Sequence, residues 1–113
     1  MLKIFGIFEE SLEDYLKMAR TRCKPRKIGN EVKVGDYLLQ EIHIMTSTLY
    51  NGETDYEELA KVHADGYLAE RMRSREAHAA VEVKYDISKV EWGKKTFVVC
   101  ELSGKTLGKS PFG

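Results

Sequence analysis

Cysteine is scarce in this chain, and with it goes the usual means of stapling a small secreted domain. Cys23 and Cys100 are its only two cysteines, 77 positions apart in 113 residues, whereas a disulfide framework needs several at closer spacing. Both fall on apolar positions of their segments. They read as reduced, small hydrophobes rather than nucleophiles, and the expected compartment is the cytoplasm. Long hydrophobic runs are lacking too. No stretch approaches the roughly 18–20 apolar residues of a membrane span, and the opening MLKIFGIFEE turns acidic too soon for a signal peptide.

Charge of one sign is also missing. Eighteen Lys and Arg balance 18 Asp and Glu, so no global attraction to nucleic acid or acidic lipid is expected. Any such binding must come from local asymmetry. Metal-binding spacings are absent: His43, His63 and His78 form no H-x-x-x-H, and there is no C-x-x-C. No metal and no cofactor is expected. No G-x-S-x-G elbow is present. Gly104–Ser110 reads G-K-T-L-G-K-S, one residue short of a phosphate loop, and Pro111 blocks the helix such a loop must open.

What remains is a charged but foldable chain, with 42% hydrophobic and 32% charged residues, long enough for one core. Residues 2–8 are nearly all apolar and predict an interior strand. Ser11 offers a helix N-cap. Leu12, Tyr15, Leu16, Ala19 and Cys23 then keep helical spacing until Pro25 stops them. Gly29-Asn30 and Gly35-Asp36 are turn signals around a short strand at Glu31–Val34. DYLLQEIHIMTST is a long β-like segment closed by Asn51-Gly52. Thr54 with Glu57 makes a capping box for a helix of about 20 residues. AAVEVKYDI alternates as a strand, and KKTFVVCEL is its hairpin partner through SKVEWG.

The order is β-α-β-α-β-β. It predicts an α+β domain over residues 1–103: a mainly antiparallel sheet of about four strands with two helices, a ferredoxin-like variant being one arrangement. Residues 104–113, rich in Gly, Ser and Lys, are expected to form a flexible tail.

Charge is segregated along both helices. Seven basic residues lie between Lys17 and Lys33 against one acid, Glu31. Arg71, Arg73 and Arg75 end the second helix. Accommodation of the helix dipole explains half of this pattern. It does not explain why the basic run passes Pro25 into the connector. Guanidinium forks and ammonium groups gathered together suit phosphate oxygens. The expected ligand site is therefore Arg20, Arg22, Lys24, Arg26, Lys27, Arg71, Arg73 and Arg75, with His63 and Tyr67 available for stacking or hydrogen bonding.

The second helix carries two further oddities. A wheel centred on Tyr56, Leu59, Ala60, Val62, Tyr67 and Ala69 puts His63, Tyr67, Glu70 and Ser74 in one polar line on the apolar side. Such a line is either a satisfied internal network or the wall of a wet pocket. The same wheel turns Leu68 and Met72 outward, which suggests a homo-oligomer interface through that pair. The reading is a non-enzymatic binding protein that recognises or sequesters a nucleotide or nucleic acid. The alternatives are a protein-interaction or inhibitor module docking on a charged partner, and a small enzyme on phosphate esters using His43 or His63 as acid and base.

Overall fold

Three hairpin turns set the architecture. Gly29-Asn30, Gly35-Asp36 and Gly93-Lys94 each place a left-handed glycine first, with φ of 65°, 62° and 65°. No left-handed residue follows it, the pattern of a two-residue II′ turn. The computed structural model describes residues 6–18, 25–53 and 55–109. Within them lie α1 (Leu12–Met18), β1 (Arg26–Ile28), β2 (Glu31–Val34), β3 (Tyr37–Leu49), α2 (Tyr56–Ser74), β4 (Ala77–Trp92) and β5 (Lys95–Lys109). The strands form one five-stranded antiparallel sheet in the order β1-β2-β3-β5-β4. The fold is α+β, as expected, but the order is not ferredoxin-like. β1, β2 and β3 make a meander. β3 and β4 run in the same direction with β5 between them, joined by α2 as a split β-α-β unit.

Two expectations about the last third of the chain are overturned. SKVEWG is not a link: Ser88, Lys89 and Val90 pair with Val99, Val98 and Phe97, and the turn falls later at Gly93-Lys94. Nor is Gly104–Lys109 a tail, because it is the end of the interior strand β5, between β3 and β4. Gly-rich composition here marks close packing instead of flexibility. A Cβ on Gly108 would stand 2.6 Å from the carbonyl oxygen of Arg75, so only glycine lets the end of α2 cross there. Residues 110–113 lie outside the described residues.

The expected first strand is described only from Gly6. Ile7 makes a parallel bridge with Ala80. The Phe8 N–H donates to the Ala80 carbonyl at 2.9 Å, and the Ala80 N–H donates to Gly6 at 2.7 Å. This short segment therefore lines the outer edge of β4, and residues 1–5 lie outside the described part. Ser11 caps α1 as expected, its Oγ accepting from the Asp14 N–H at 3.2 Å. The described helix ends at Met18; the predicted continuation to Cys23 is outside the described residues. α2 is capped by Asp55, whose Oδ1 accepts from the Glu57 N–H at 3.0 Å. The expected capping residue, Thr54, is itself outside the described residues.

The core lies between α2 and one face of the sheet. Ala60, Ala64, Leu68 and Met72 are the buried residues of α2. They pack with Ile42 and Ile44 of β3, Val98, Cys100 and Leu102 of β5, and Ala80 and Val83 of β4. Leu68 is 0% exposed and Met72 is 6% exposed, so they are core residues and not the outward pair of an interface. The expected wheel counted large apolar side chains and so was turned by roughly 140°, at 100° per residue. The helix instead seats two small residues, Ala60 and Ala64, fully buried against the sheet. Leu68 and Met72 fill the space beyond them, and Tyr67 is left 53% exposed.

On the opposite face, cross-strand partners share a side. Leu39, Leu107 and Ala79 form one row there. At this end α1 packs on β4. The His78 ring lies 4.5 Å from that of Tyr37 and 6.3 Å from that of Tyr15. Beyond this corner the face is open, and it carries Met45, Leu49, Val90 and Trp92, all exposed.

Candidate functional site

β3 is 13 residues long, yet β2 covers its outer side only at Tyr37, Leu38 and Leu39. Parity decides which of its remaining backbone groups are free. The Tyr50 N–H donates to the Thr96 carbonyl at 2.9 Å, one step beyond the pairing of Leu49 with Phe97. Hydrogen-bonded pairs alternate along an antiparallel ladder. Even-numbered residues of β3 therefore bond to β5, and odd-numbered ones turn their N–H and C=O outward. Tyr37 and Leu39 spend theirs on β2. The Glu41 carbonyl accepts from Arg75 Nη1 at 3.2 Å. His43, Met45, Ser47 and Leu49 follow with no described strand against them, and they form a bare edge of seven residues.

α2 forms a wall above this edge. Tyr67, Glu70, Arg71 and Ser74 line a groove of about 490 Å³ whose floor is His43, Ile44 and Met45. The polar line read from the sequence is thus a groove wall and not an internal network. His63 belongs to the same flank, its ring 6.4 Å from that of Tyr67. On the open face, His43 Nε2 lies 2.6 Å from Glu101 Oε1. The opposite flank of α2 is tied to β4, where the Tyr85 hydroxyl donates to Asp65. Burial, first of all, raises the Asp65 carboxyl above the usual aspartate range. Burial and the Asp65 hydrogen bond raise the Tyr85 phenol likewise.

The expected basic site is only partly assembled. Arg20, Arg22 and Lys24 lie outside the described residues. Arg26 and Lys27 are exposed on β1 but point to opposite faces, as neighbours on a strand must. Arg26 is opposite Lys33, and Lys33 is opposite Leu38, which shares the α2 face. Arg26 and Lys33 therefore project on the same side as α2, toward the end that carries exposed Arg71 and Arg73. Arg75 is partly engaged within the protein. Its Nη1 donates to the Thr106 hydroxyl at 2.8 Å as well as to Glu41, which makes it a brace between α2 and the sheet. Among the described residues, no three of His, Cys, Asp and Glu converge as metal ligands, and no helix is long and apolar enough to cross a membrane.

The sequence reading missed the β3 edge because backbone groups leave no residue signature. One signal was present: Ile42 to Gly52 contains no Asp, Glu, Lys or Arg in a chain that is 32% charged. In comparison with known proteins, the chain matches no family model, no curated protein and no solved structure.

Proposed function

We propose that this protein is a non-catalytic interaction module that accepts an extended polypeptide as an added strand along β3. The observation that carries this reading is the bare edge from His43 to Leu49. An unpaired edge is a ready template for another chain unless charge, proline, a bulge or a cover blunts it. This stretch has no charged residue and no proline, and its register with β5 is unbroken. Main-chain bonds would supply affinity, and the groove under Tyr67 and Arg71 would select side chains on one face of the added strand. The test places a photo-crosslinking amino acid at Ser47. Polypeptide adducts that disappear when Met45→Pro is also present support strand addition. Proline removes an outward N–H at an edge position that spends none on β5. Adducts indifferent to that substitution, or none at all, refute it.

A second reading keeps a phosphate-bearing ligand at the basic corner. Its support is the shared side of Arg26 and Lys33 with Arg71 and Arg73. A fluorescent single-stranded oligonucleotide should then bind with steep salt dependence and lose affinity in the R71A/R73A double variant. Binding that ignores both salt and substitution removes this reading.

A further inference from the structure

We infer that the added strand is β3 of a second copy, paired antiparallel about a two-fold axis through Thr46. This rests on the strand-addition reading above and names its partner. The axis opposes Met45 to Ser47 of the other copy and His43 to Leu49. Both pairs match outward-facing residues with outward-facing residues, as an antiparallel ladder requires. About eight hydrogen bonds would form, two at each of four opposed pairs. An axis midway between two residues would set outward groups against inward ones and form none.

Three observations fit this register. The first is room. β2 occupies the edge opposite Tyr37 to Leu39, so an incoming strand must end before it. With the axis at Thr46, the partner's chain reaches Asn51 opposite Glu41. There the Asn51 side chain accepts from the Glu53 N–H at 3.0 Å and the chain turns away. Moving the axis to Met45 would drive that turn into β2. The second is charge. Ile42 to Gly52 has no formally charged residue, so the seam opposes no like charges, and none of its side chains needs to be desolvated as an ion. The third is an unmet polar group. Thr46 is 6% exposed, and its hydroxyl and that of Thr48 are buried without a hydrogen-bond partner. The axis places the two Thr46 residues directly opposite in a non-hydrogen-bonded pair, where side chains come closest and Thr–Thr bonds form after a χ1 rotation.

The flank of α2 is suited to such a seam. α2 starts beside Tyr50, with the Tyr50 and Tyr56 rings 6.2 Å apart, and ends at Glu41, so it runs antiparallel to β3. His63 then lies on the Ser47 side of the axis and Tyr67 on the Met45 side. Across the seam His63 faces Tyr67 of the other copy. α2 packs on β3, β5 and β4 alike, which centres it over β5. The two α2 axes would stand three strand spacings apart, roughly 14 Å. That exceeds the 8–10 Å of ordinary helix packing, and long side chains such as Tyr67, His63 and Arg71 can bridge it.

The test measures mass by light scattering and register by cross-linking. In a background carrying both Cys23→Ser and Cys100→Ala, the latter because Cys100 is the cross-strand partner of Thr46 within one copy, Thr46→Cys should form a symmetric disulfide, because the opposed Cα atoms would lie about 4.5 Å apart. Met45→Cys should not, because its counterpart would be displaced by two residues. Met45→Pro and Met45→Lys should each give a monomer that still unfolds cooperatively, with a thermal midpoint independent of protein concentration and approached by wild type on dilution. A dimer that survives both substitutions, or a Met45→Cys disulfide formed faster than Thr46→Cys, overturns the pairing. So does a wild-type protein that stays monomeric at its highest soluble concentration. Strand addition itself would then be decided by the photo-adduct at Ser47: a different polypeptide there sustains it, and no adduct ends both.

Discussion

Replacing Leu68 with alanine separates a core role from an interface role. Leu68 is 0% exposed and packs among Ala64, Met72 and the inner faces of β3 and β5. Truncation removes three carbons from a site that α2 cannot close by moving inward. Ala60 and Ala64 already set its approach to the sheet. The expected cost is that of a buried leucine deletion, about 2–5 kcal/mol, including the cavity left behind. A domain of this size gains roughly 5–15 kcal/mol from folding in total, so the loss should be visible at once. The thermal midpoint should fall by roughly 10–20 °C, at several degrees per kcal/mol. Urea unfolding should show the same loss as a lower midpoint with an unchanged slope. Both measurements should be repeated over a hundredfold range of protein concentration. A core residue gives the same difference from wild type throughout, whereas an interface residue gives one that shrinks on dilution. A loss under about 1 kcal/mol, or one that vanishes in dilute protein, refutes the placement of Leu68 in the monomer core.

Gly108→Ala should cost about 1–3 kcal/mol in urea unfolding, because its Cβ would meet the Arg75 carbonyl oxygen at 2.6 Å. An unchanged midpoint would mean that the crossing of α2 over β5 is looser than described. Tyr85→Phe should destabilise by about 1 kcal/mol, because the phenol's hydrogen bond to the half-buried Asp65 is lost; no change would show that bond to be immaterial. Partial desolvation beside the Tyr15 and Tyr37 rings lowers the imidazole of His78, an otherwise exposed side chain, below its usual value of 6.5. A group with a depressed folded value binds fewer protons in the folded state near that pH. Its contribution is therefore present above 6.5 and lost as pH falls through the folded value. Glu101 lies on a separate part of the sheet, and the groups facing His78 are the Tyr15 and Tyr37 rings. Wild type should thus lose midpoint between pH 7 and 5 relative to His78→Phe, and parallel curves for the two proteins would discount the histidine.

Period and turn chemistry made much of the fold legible in the sequence. Gly29-Asn30 and Gly35-Asp36 marked two hairpins, and alternation from Val81 to Ile87 marked a strand. The misreadings share a physical cause: composition was read where packing decides. Gly104 and Gly108 looked like a tail because glycine favours loops. Gly108 lies against the Arg75 carbonyl where a Cβ would stand only 2.6 Å away, and Gly104 lies closely under Val83, where a Cβ would be tight at 3.2 Å. In α2, apolar bulk pointed to Tyr67 and Val62 as the buried face. Alanine is small but lets a helix lie close to a sheet, and that proximity decides which residues face the core. Arg75 looked like the partner of Arg71 and Arg73 in a cationic cluster. Only the fold reveals that its Nη1 is held by Thr106 and Glu41.

The two edges of the sheet are finished differently, and the difference argues for pairing at β3. On the β4 side the segment from Gly6 to Glu10 covers the first part of the edge, donating and accepting bonds as far as Val83. Glu82 then adopts φ 54° at a register shift, and a bulge of this kind twists an edge away from an approaching strand. Beyond it, Lys84, Asp86, Lys89 and Glu91 place a charge at nearly every second position. Cover, bulge and charge are three of the ordinary ways of keeping an edge unpaired, and β4 uses all three. Among the described residues, β3 has none of the three from His43 onward. The blunting among the described residues is at its beginning, where β2 and Arg75 occupy outward groups as far as the Glu41 carbonyl. Those same groups would fix the register of an incoming strand by limiting how far it can slide. An edge left bare by neglect would have no reason to end in a stop. β3 has such a stop at one end, a turn at Asn51 at the other, and an uncharged run of matching length between them.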